Sequence, residues 1–544
     1  MPQTQTYNPW DVMYKGVTNF ALEHVLAGNG ARHAGSAGGV TWTLPKSGDI
    51  IHSCYLQADL PSLTPSSGYA EHVSWVWGLG YAMIMSATFS VASTQIEKIS
   101  GQWMEMHEEL HQAAGTRLEE AVLKMDRVTL PEMAKISATP GGTTLYVPIP
   151  FFFTKGAHAA LPAIAMSCHD LEVNIVFKRD ATGKPSQLVT CLDDAQDTDL
   201  GAKASYSVNG VGRDLEWNDI DFSLWCGTVH LDSEERNNMA KSNHNLLMKT
   251  VQQYSSISTI DGERFVEKSK NFYNLSFTHP VSSLVWAIAD RNRHAREACN
   301  DGEKIKGRRS HENSDSFATE DLRLFTGGVR ALYGTPCSLV TAGTVNDGQS
   351  DKMDWNVFRP GYSVVGTFDT DAFGDTTPPA AANLLSSSAV NEWRNDGLNG
   401  CLHLPGNPFD YRMTNAAGEE IEPMEKFKMT FNNADRVDTD LSPEFYRTVQ
   451  GAEHFANVPR KGIYCYSFAK NASSPYVNGV CNFSKILDKT IEIHKNPQHV
   501  DNVGTLDSQR NNRANGDASE YEVYLYAESF NIFKVKEGAV GLAW

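Results

Sequence analysis

Stretches in which apolar and polar residues alternate recur along most of the chain. Successive side chains of a strand point to opposite faces, so this period of two predicts strands with one buried and one polar face. Glycine, proline, asparagine and aspartate bound these stretches and predict turns. The clearest examples are residues 39–45, 86–93, 171–178, 283–289 and 522–535. The pattern predicts a mainly antiparallel β protein with half-buried strands.

Spacing typical of helices is confined to residues 100–125, 234–254 and 389–396. With so few helices, we assign the chain to the all-β class, with short helices in its loops. Long polar stretches separate the blocks of strands, and loops of this length are typically functional surface structures or disordered segments. They cover residues 179–209, 291–321, 342–400 and 498–520.

A weak internal repeat indicates two similar domains. A long strand closes each half, at residues 221–236 and 521–538, and an aromatic strand, a turn and another strand precede it. A chain of 544 residues is also too long for one ordinary core. We therefore predict a first domain at 1–238, a helical connector at 239–258 and a second domain with long loop insertions at 259–544.

Composition and charge narrow the classes of function. The chain carries 47 basic and 65 acidic residues, a net charge of −18, with the basic residues scattered. This distribution argues against direct binding to nucleic acid. The first residues lack a secretory signal, and the most apolar stretch, 81–92, is too short to span a bilayer, so we expect synthesis in the cytosol. Nine cysteines without a C-x-x-C pair predict reduced, mostly buried thiols.

The segment HEELH, from His107 to His111, matches the H-E-x-x-H pattern of zinc metalloproteases. On a helix the two histidines share one face and can bind one zinc ion, while Glu108 is placed to activate a water molecule. A third ligand is required. The positions that an extended form of the motif would use hold Ala114 and Arg117 instead.

A structural role therefore explains this segment better than a zinc site does. Glu132 lies where a third carboxylate could fall, but its segment does not predict a long helix. We expect an amphipathic helical turn that buries Trp103, Met106 and Leu110. The two histidines of the motif then lie on the surface of that turn.

Two other motifs invite a chemical interpretation. Cys168 and His169 are adjacent, but neighbours in a strand point to opposite faces, so they do not form a nucleophilic pair there. The segment 369–375 has the acidic spacing of a calcium loop, yet Phe373 occupies a ligand position and Ala380 stands where the closing glutamate belongs. We expect a strand and a solvated acidic loop, respectively.

One pair of glycines and three glycosylation sequons are the remaining candidate functional sites. Gly78 and Gly80 lack the third glycine and the following helix of a dinucleotide site, and we expect them to ease a strand or turn. Three N-x-Ser sequons begin at Asn274, Asn471 and Asn482. Only Asn471 falls in a predicted turn, so it is the candidate glycosylation site.

Several segments resemble one known family in the right order along the chain. In the first half these segments are residues 48–63, 93–110, 150–177 and 231–247, and in the second half they are 277–287, 431–469, 479–488 and 523–544. On these residues the chain resembles the major capsid proteins of nucleocytoplasmic large DNA viruses, the double jelly-roll family. It departs at "SPYVNGVCNFS", where the family has a shorter Pro-Ser-Gly segment, and the loops 291–321 and 342–400 have no counterpart.

The resemblance implies an all-β fold of two tandem eight-stranded jelly rolls with short loop helices and long surface loops. It implies a structural protein without catalysis or cofactor, which forms a homotrimeric, pseudo-hexagonal capsomer. Its partners would be neighbouring capsomers, minor capsid proteins and penton proteins, with no direct contact to nucleic acid and only an indirect one to an internal membrane. The protein would be made in the host cytoplasm and reside in the virion capsid.

Two other functions stay open on the sequence. One is a zinc metallohydrolase that uses the HEELH motif, which metal analysis of the purified protein would reveal. The other is a β-sandwich attachment or carbohydrate-binding protein. Imaging distinguishes the last from a capsomer, because only a capsomer gives a stable trimer with a pseudo-hexagonal outline.

Overall fold

The computed structural model describes most of the first half of the chain and just under half of the second. The described residues are 19–28, 39–65, 72–112, 120–124, 130–179, 183–186, 188–192, 206–213, 215–254, 263–265, 270–290, 304–306, 308–309, 403–404, 407–409, 411, 413–414, 420–437, 441–496 and 521–543. We call residues 19–231 the first half and residues 244–543 the second half.

Thirteen described strands belong to the first half. They are β1 (Phe20–Leu26), β2 (Gly39–Thr43), β3 (Ile50–Leu60), β4 (Leu63–Pro65), β5 (His72–Trp75), β6 (Ile84–Val91), β7 (Thr94–Ser100), β8 (Thr143–Pro148), β9 (Leu171–Phe177), β10 (Val189–Leu192), β11 (Tyr206–Val208), β12 (Val211–Gly212) and β13 (Asp221–Leu231). Two four-stranded sheets dominate, with the orders β1-β13-β3-β8 and β2-β9-β6-β7, and all their pairings are antiparallel.

Sixteen described strands belong to the second half. They are β14 (His244–Gln253), β15 (Glu263–Phe265), β16 (Lys270–Asn274), β17 (Pro280–Asp290), β18 (Lys304–Lys306), β19 (Arg308–Arg309), β20 (His403–Leu404), β21 (Met413–Thr414), β22 (Glu420–Ile421), β23 (Met424–Phe431), β24 (Ala434–Val437), β25 (Ile463–Ser467), β26 (Cys481–Asn482), β27 (Lys489–Lys495), β28 (Tyr521–Lys536) and β29 (Ala539–Leu542).

The sheets of the second half follow the plan of the first. One has the order β14-β28-β17-β25, with β15, β26 and β29 paired beside that path, and the other has the order β16-β27-β23-β24. Each half is thus built around two four-stranded paths. Because short strands lie beside these paths, the exact number of eight strands per jelly roll stays a prediction.

Helices are short and lie in the connections. The α-helices are α1 (Leu79–Ala82), α2 (Gly101–His111), α3 (Leu130–Ser137), α4 (Ser233–Lys241) and α5 (Gln450–His454), the last preceded by a π-helical turn at Phe445–Val449. Single 3₁₀ turns occupy Glu120–Val122, Phe152–Thr154, Ala157–Ala159, Ala163–Ala165, Trp217–Asp219 and Phe483–Lys485.

The predicted strands are present, and the alternation is clearest in β9, where every second side chain is buried. The prediction of half-buried strands is wrong for β17 and β28, because both faces of these strands are covered. In β28, Leu525 and Ala527 belong to the core of the second half, whereas Tyr524 and Tyr526 belong to the core that continues from the first half. This sheet is therefore shared between the two cores.

The predicted helical segment 234–254 is helical only in its first part. Helix α4 ends at Lys241, and β14 then runs antiparallel to β28 from His244 opposite Val535 to Gln253 opposite Tyr526. Residues 244–253 of the helical connector predicted at 239–258 thus form a strand, because pairing with β28 outweighs their local helix-like spacing. The third predicted helix, 389–396, lies outside the described residues.

Candidate functional site

Helix α2 carries the HEELH motif, and its local sequence explains where it starts. The Ser100 hydroxyl caps it by accepting a hydrogen bond from the Trp103 backbone N–H at 3.3 Å. Its first residue is Gly101, where a Cβ atom would lie 2.4 Å from the carbonyl oxygen of Tyr81. Only glycine therefore allows the helix to begin so close to the preceding chain.

The helix lies between the two halves. The Trp103 ring packs on Tyr526 of β28, with centroids 5.1 Å apart, and the hydroxyls of Ser100 and Tyr526 are 3.0 Å apart. At its other end, the carbonyl of Leu110 accepts a hydrogen bond from the Ala456 N–H at 3.0 Å. The expected burial of Trp103, Met106 and Leu110 is observed, with all three side chains fully buried.

One face of α2 holds three buried glutamates around a buried lysine. The Nζ atom of Lys124 is 2.7 Å from Glu109, 3.5 Å from Glu105 and 3.7 Å from Glu108. Burial works to lower the pKa of Lys124, but Glu105 and Glu109 outweigh it and the pKa is raised. Lys124 is therefore held in its charged form among these carboxylates.

Arg460 of the second half joins the same cluster. It pairs with Glu105, its Nε lies 3.3 Å from Glu109, and its guanidinium stacks on the Trp77 ring at 4.5 Å. Burial raises the pKa of Glu105, while Arg460 and Lys124 oppose the rise. The ion pairs of Arg460 thus link the second half to α2 of the first.

The other face of α2 carries the two histidines of the motif. The Nδ1 atom of His111 is 3.0 Å from the Ser473 hydroxyl, and its Nε2 atom is 3.1 Å from the Glu528 carboxylate. Glu528 also pairs with Lys249 at 2.9 Å and accepts a hydrogen bond from Ser283 at 2.7 Å. These contacts suit a neutral ring that donates to Glu528 and accepts from Ser473.

Burial and neighbouring charges set the protonation of this face. Burial lowers the pKa of His111, and Glu528 opposes the change. Burial alone would raise the Glu528 pKa, but His111 and Lys249 hold it well below its usual value. The pKa of His107 is well below its usual value because of burial, His111, Lys155 and Lys249.

The expectation that His107 and His111 lie on the surface is wrong for His111 and only partly right for His107, which is half-buried. The His111 side chain is 7% exposed, and the His107 ring packs between Trp103 and His111. The reason is tertiary: the sheet of the second half covers this face, and a single helix in the sequence gives no sign of that partner. The burial of Glu105, Glu108 and Glu109 was also not predicted, since charged residues are rarely buried without partners.

The motif residues do not converge as a zinc site would require. Glu108 faces Lys124 rather than the histidines, and Glu528, which contacts His111, is already paired with Lys249. Across the described part of the chain, no group of three or more His, Cys, Asp and Glu side chains is arranged to hold a metal ion. The side chain of Glu132 lies outside the described residues.

The prediction that Cys168 and His169 lie in a strand is wrong. They occupy a turn before β9, with Cys168 exposed, and Lys46 donates to the carbonyl oxygen of His169 at 2.5 Å. Of the other described cysteines, which are free thiols, Cys54, Cys226 and Cys465 are buried and Cys481 is half-buried. The segment 369–375 lies outside the described residues.

The glycines and sequons fall in ordinary structural positions. Gly78 has a φ of +67° just before α1, and Gly80 lies within α1, where a Cβ atom would be 2.9 Å from Val122. Asn471 lies exposed at the start of a turn in which its Oδ1 accepts from the Ser473 N–H at 2.9 Å. Its glycosylation stays a prediction.

No helix among the described residues combines the length and the apolar character that crossing a bilayer demands.

Two family models match the chain. The model described as "Large eukaryotic DNA virus major capsid protein" matches residues 235–541, and the model described as "Major capsid protein N-terminus" matches residues 8–211. The first alone covers more than half of the chain. Together they span most of both halves.

Similar proteins extend over almost the whole length. The major capsid proteins of Phaeocystis pouchetii virus and of Chrysochromulina ericina virus are each 24% identical, with 98% of this chain and 95% of the relative aligned. A chain from the quasi-atomic model of the PBCV-1 virus capsid superposes with a TM-score of 0.57 at 16% identity, covering 99% of this chain and 100% of that one. This likeness confirms the predicted double jelly-roll fold.

Proposed function

Because the chain belongs to the family of large eukaryotic DNA virus major capsid proteins, we propose that it works by assembly and not by catalysis. Its role is structural: copies of it form the capsomers of a viral shell, and it resides in the virion capsid. The observation that carries this conclusion is the match of family models to both halves of the chain.

The proposed capsomer is a homotrimer with a pseudo-hexagonal outline. Each half is built around two four-stranded paths, so three chains give six similar lobes around a three-fold axis. Exposed apolar side chains on the edge strand β1 support a subunit contact there. Among the described strands β1 pairs with β13 alone, and its side chains Phe20, Leu22 and Leu26 are 56%, 62% and 51% exposed. An edge strand with this much exposed apolar surface is a typical site of contact with another chain.

The absence of catalysis is part of the proposal. The side chains that suggested chemistry are engaged in contacts within the chain: Glu108 is buried against Lys124 of the first half, and His111 lies between Ser473 and Glu528 of the second. A zinc hydrolase would need these groups aimed at a substrate and a metal-bound water. Metal analysis that found one zinc per chain, lost in His107→Ala, would contradict this part.

The finer partners and the domain division are proposals as well. We propose contacts with neighbouring capsomers, minor capsid proteins and penton proteins. We also propose that the protein relates to an internal membrane only indirectly and does not contact nucleic acid directly. Its synthesis would take place in the host cytoplasm. The net charge of −18 supports a shell protein that does not bind the genome. We propose domains at 1–238 and 259–544, with β14 joined to the second.

Imaging and size measurement test the assembly directly. Size-exclusion chromatography with light scattering on the full chain should give the mass of three copies, and negative-stain images should show a pseudo-hexagonal outline. A monomer, or an elongated fibre typical of an attachment protein, would contradict the proposal.

A further inference from the structure

A cavity lies between the two halves, next to the histidine face of α2. Its volume is about 500 Å³, many times the roughly 30 Å³ that one water molecule occupies in the liquid. Residues of β3, the two histidines and the turn after β8 line it from the first half, and Lys249, Ser473 and Pro475 line it from the second. A ligand bound there would contact both halves at once.

The described residues in the wall of this cavity include basic side chains and no acidic one. Lys155, Lys249, His107 and His111 line it, and none of the described residues that line it is an aspartate or glutamate. The carboxylate of Glu528 is not part of this wall, and it is already engaged by Lys249 at 2.9 Å and by His111 at 3.1 Å. Lys249 is thus paired with Glu528, and burial lowers the pKa of Lys249, so the positive charge left over in this wall is that of Lys155.

Lys155 has hydrogen-bonding capacity left for a ligand. Its Nζ atom donates to the carbonyl oxygen of Lys249 at 3.0 Å, and an ammonium group has three N–H donors. Its charge also acts on Glu97. Burial raises the pKa of Glu97 to about 7, against the opposing influence of Lys155 and of a hydrogen bond from the Phe152 N–H. Glu97 is thus only partly ionised at neutral pH and offsets the Lys155 charge only in part.

The same positive charges affect the pKa of His107. Besides burial, the groups that lower its pKa are His111, Lys155 and Lys249, and Glu528 is the group that opposes them. An anion in the cavity would act in the same direction as Glu528 and favour the protonated ring. Binding of an anion should therefore be coupled to proton uptake by His107.

We propose that this cavity binds a compact tetrahedral dianion, chemically a phosphate group, with Lys155 and His107 as its donors. A ligand that contacts both halves in the folded chain stabilises their contact by mass action. The site is separate from the proposed assembly, so a protein that trimerises without binding the anion would contradict this inference alone.

Calorimetric titration of the full chain tests the site, with sulfate as the probe because it keeps its double charge across the neutral range. The expected result is saturable binding of one sulfate per chain with net proton uptake. Proton uptake is measured by repeating the titration near pH 6.5, the ordinary histidine pKa, in two buffers of different ionisation enthalpy. No saturable binding up to about 10 mM, well above a millimolar Kd, would overturn the proposal.

Variants assign the donors. Lys155→Gln should weaken sulfate binding at least tenfold, Lys155→Arg should retain it, and His107→Gln should abolish the proton uptake. The matched control is Lys46→Gln, because Lys46 bonds to the His169 carbonyl and does not line the cavity. Unchanged binding in Lys155→Gln, or unchanged proton uptake in His107→Gln, would overturn the assignment. Should Lys155→Gln fail to fold, Lys155→Arg and His107→Gln still decide it.

Two further titrants identify the source of the phosphate group. Tighter binding of glycerol 3-phosphate than of inorganic phosphate assigns the cavity to a phosphomonoester, for which its volume leaves room. Equal or weaker binding assigns it to free phosphate. Failure of both to compete with sulfate contradicts the phosphate assignment.

Discussion

Lys124 lies among three buried glutamates, and its charge allows them to remain in the interior of the protein. Its side chain is 1% exposed, and those of Glu105, Glu108 and Glu109 are at most 3% exposed. A buried ion pair gives little net stability when compared with apolar residues, but removing one partner leaves a charge that nothing compensates. Single residues of this cluster should therefore be sensitive to substitution.

Lys124→Met should destabilise the protein by about 3–5 kcal/mol, because it leaves buried carboxylates with Arg460 as their remaining cation. The measurement is the free energy of the first unfolding transition in urea. The matched control is Lys46→Met, whose pair with Asp170 at 3.5 Å is exposed to solvent and should be worth about 0–1 kcal/mol. Equal losses of unfolding free energy in the two variants would show that the buried ion pairs of Lys124 stabilise the protein no more than the exposed pair of Lys46.

The depressed pKa of His107 predicts a loss of stability in weak acid. Its pKa is 6.5 in the unfolded chain and well below that in the folded protein, so the unfolded state binds more protons as pH falls below 6.5. The contribution of the neutral His107 ring to stability is complete above pH 6.5. It is lost as the pH falls toward the pKa that His107 has in the folded protein. Its slope approaches about 1.4 kcal/mol per pH unit for one proton.

Comparison of the wild type with His107→Gln isolates this effect. Between about pH 7 and pH 5, around the ordinary histidine pKa, the variant should lose less stability than the wild type in urea unfolding. Glu97 acts in the opposite direction, since its raised pKa of about 7 favours the folded state as pH falls. Glu97→Gln should therefore steepen the loss, and parallel curves for all three proteins would refute the assignment.

At the scale of elements, α2 joins the two halves through its cap as well as its faces. The Ser100 hydroxyl accepts from the helix N–H of Trp103 and lies 3.0 Å from the Tyr526 hydroxyl of β28. Burial raises the pKa of Tyr526 well above its usual value, so its hydroxyl stays protonated and can donate. One serine thus begins a helix of the first half and binds a strand of the second.

Ser100→Ala should cost about 1–2 kcal/mol through loss of the cap and more if Tyr526 is left without this partner. A double-mutant cycle with Tyr526→Phe, followed by urea unfolding, separates the two contributions. We expect the costs to be non-additive by at least about 0.5 kcal/mol, as for residues in direct contact. Strictly additive costs would mean that the two hydroxyls do not interact.

At the scale of the whole molecule, the exposed apolar side chains of β1 suggest where one subunit meets another. Leu22→Asp, at a side chain that is 62% exposed, should leave the folded chain intact but shift the trimer toward monomer at low concentration, measured by light scattering. The control is Leu487→Asp, where a leucine that is 90% exposed lies outside the named strands. Equal dissociation of both variants, or of neither, would contradict a contact at β1.

Much of the fold could be predicted, because a strand with one solvated face leaves an alternating pattern in its own sequence. The alternation located β2, β6 and β9, and it also located β17 and β28 although both faces of these two strands are covered. The family resemblance supplied the arrangement of the strands. Predictions failed where a distant partner overrides the local pattern. The end of the segment 234–254 has helix-like spacing, yet its pairing with β28 makes it a strand.

The sequence by itself determined the class of fold, the presence of two similar halves and the apolar anchors of α2, because these depend on local periodicity and residue type. Only the tertiary structure decided which faces are covered. It buried β17 and β28 on both sides, covered the His111 side chain and left His107 half-buried. It also brought Glu528 to His111 across 417 positions of the chain, from 111 to 528. Such contacts depend on how two sheets pack, and no residue pattern within either segment specifies that packing.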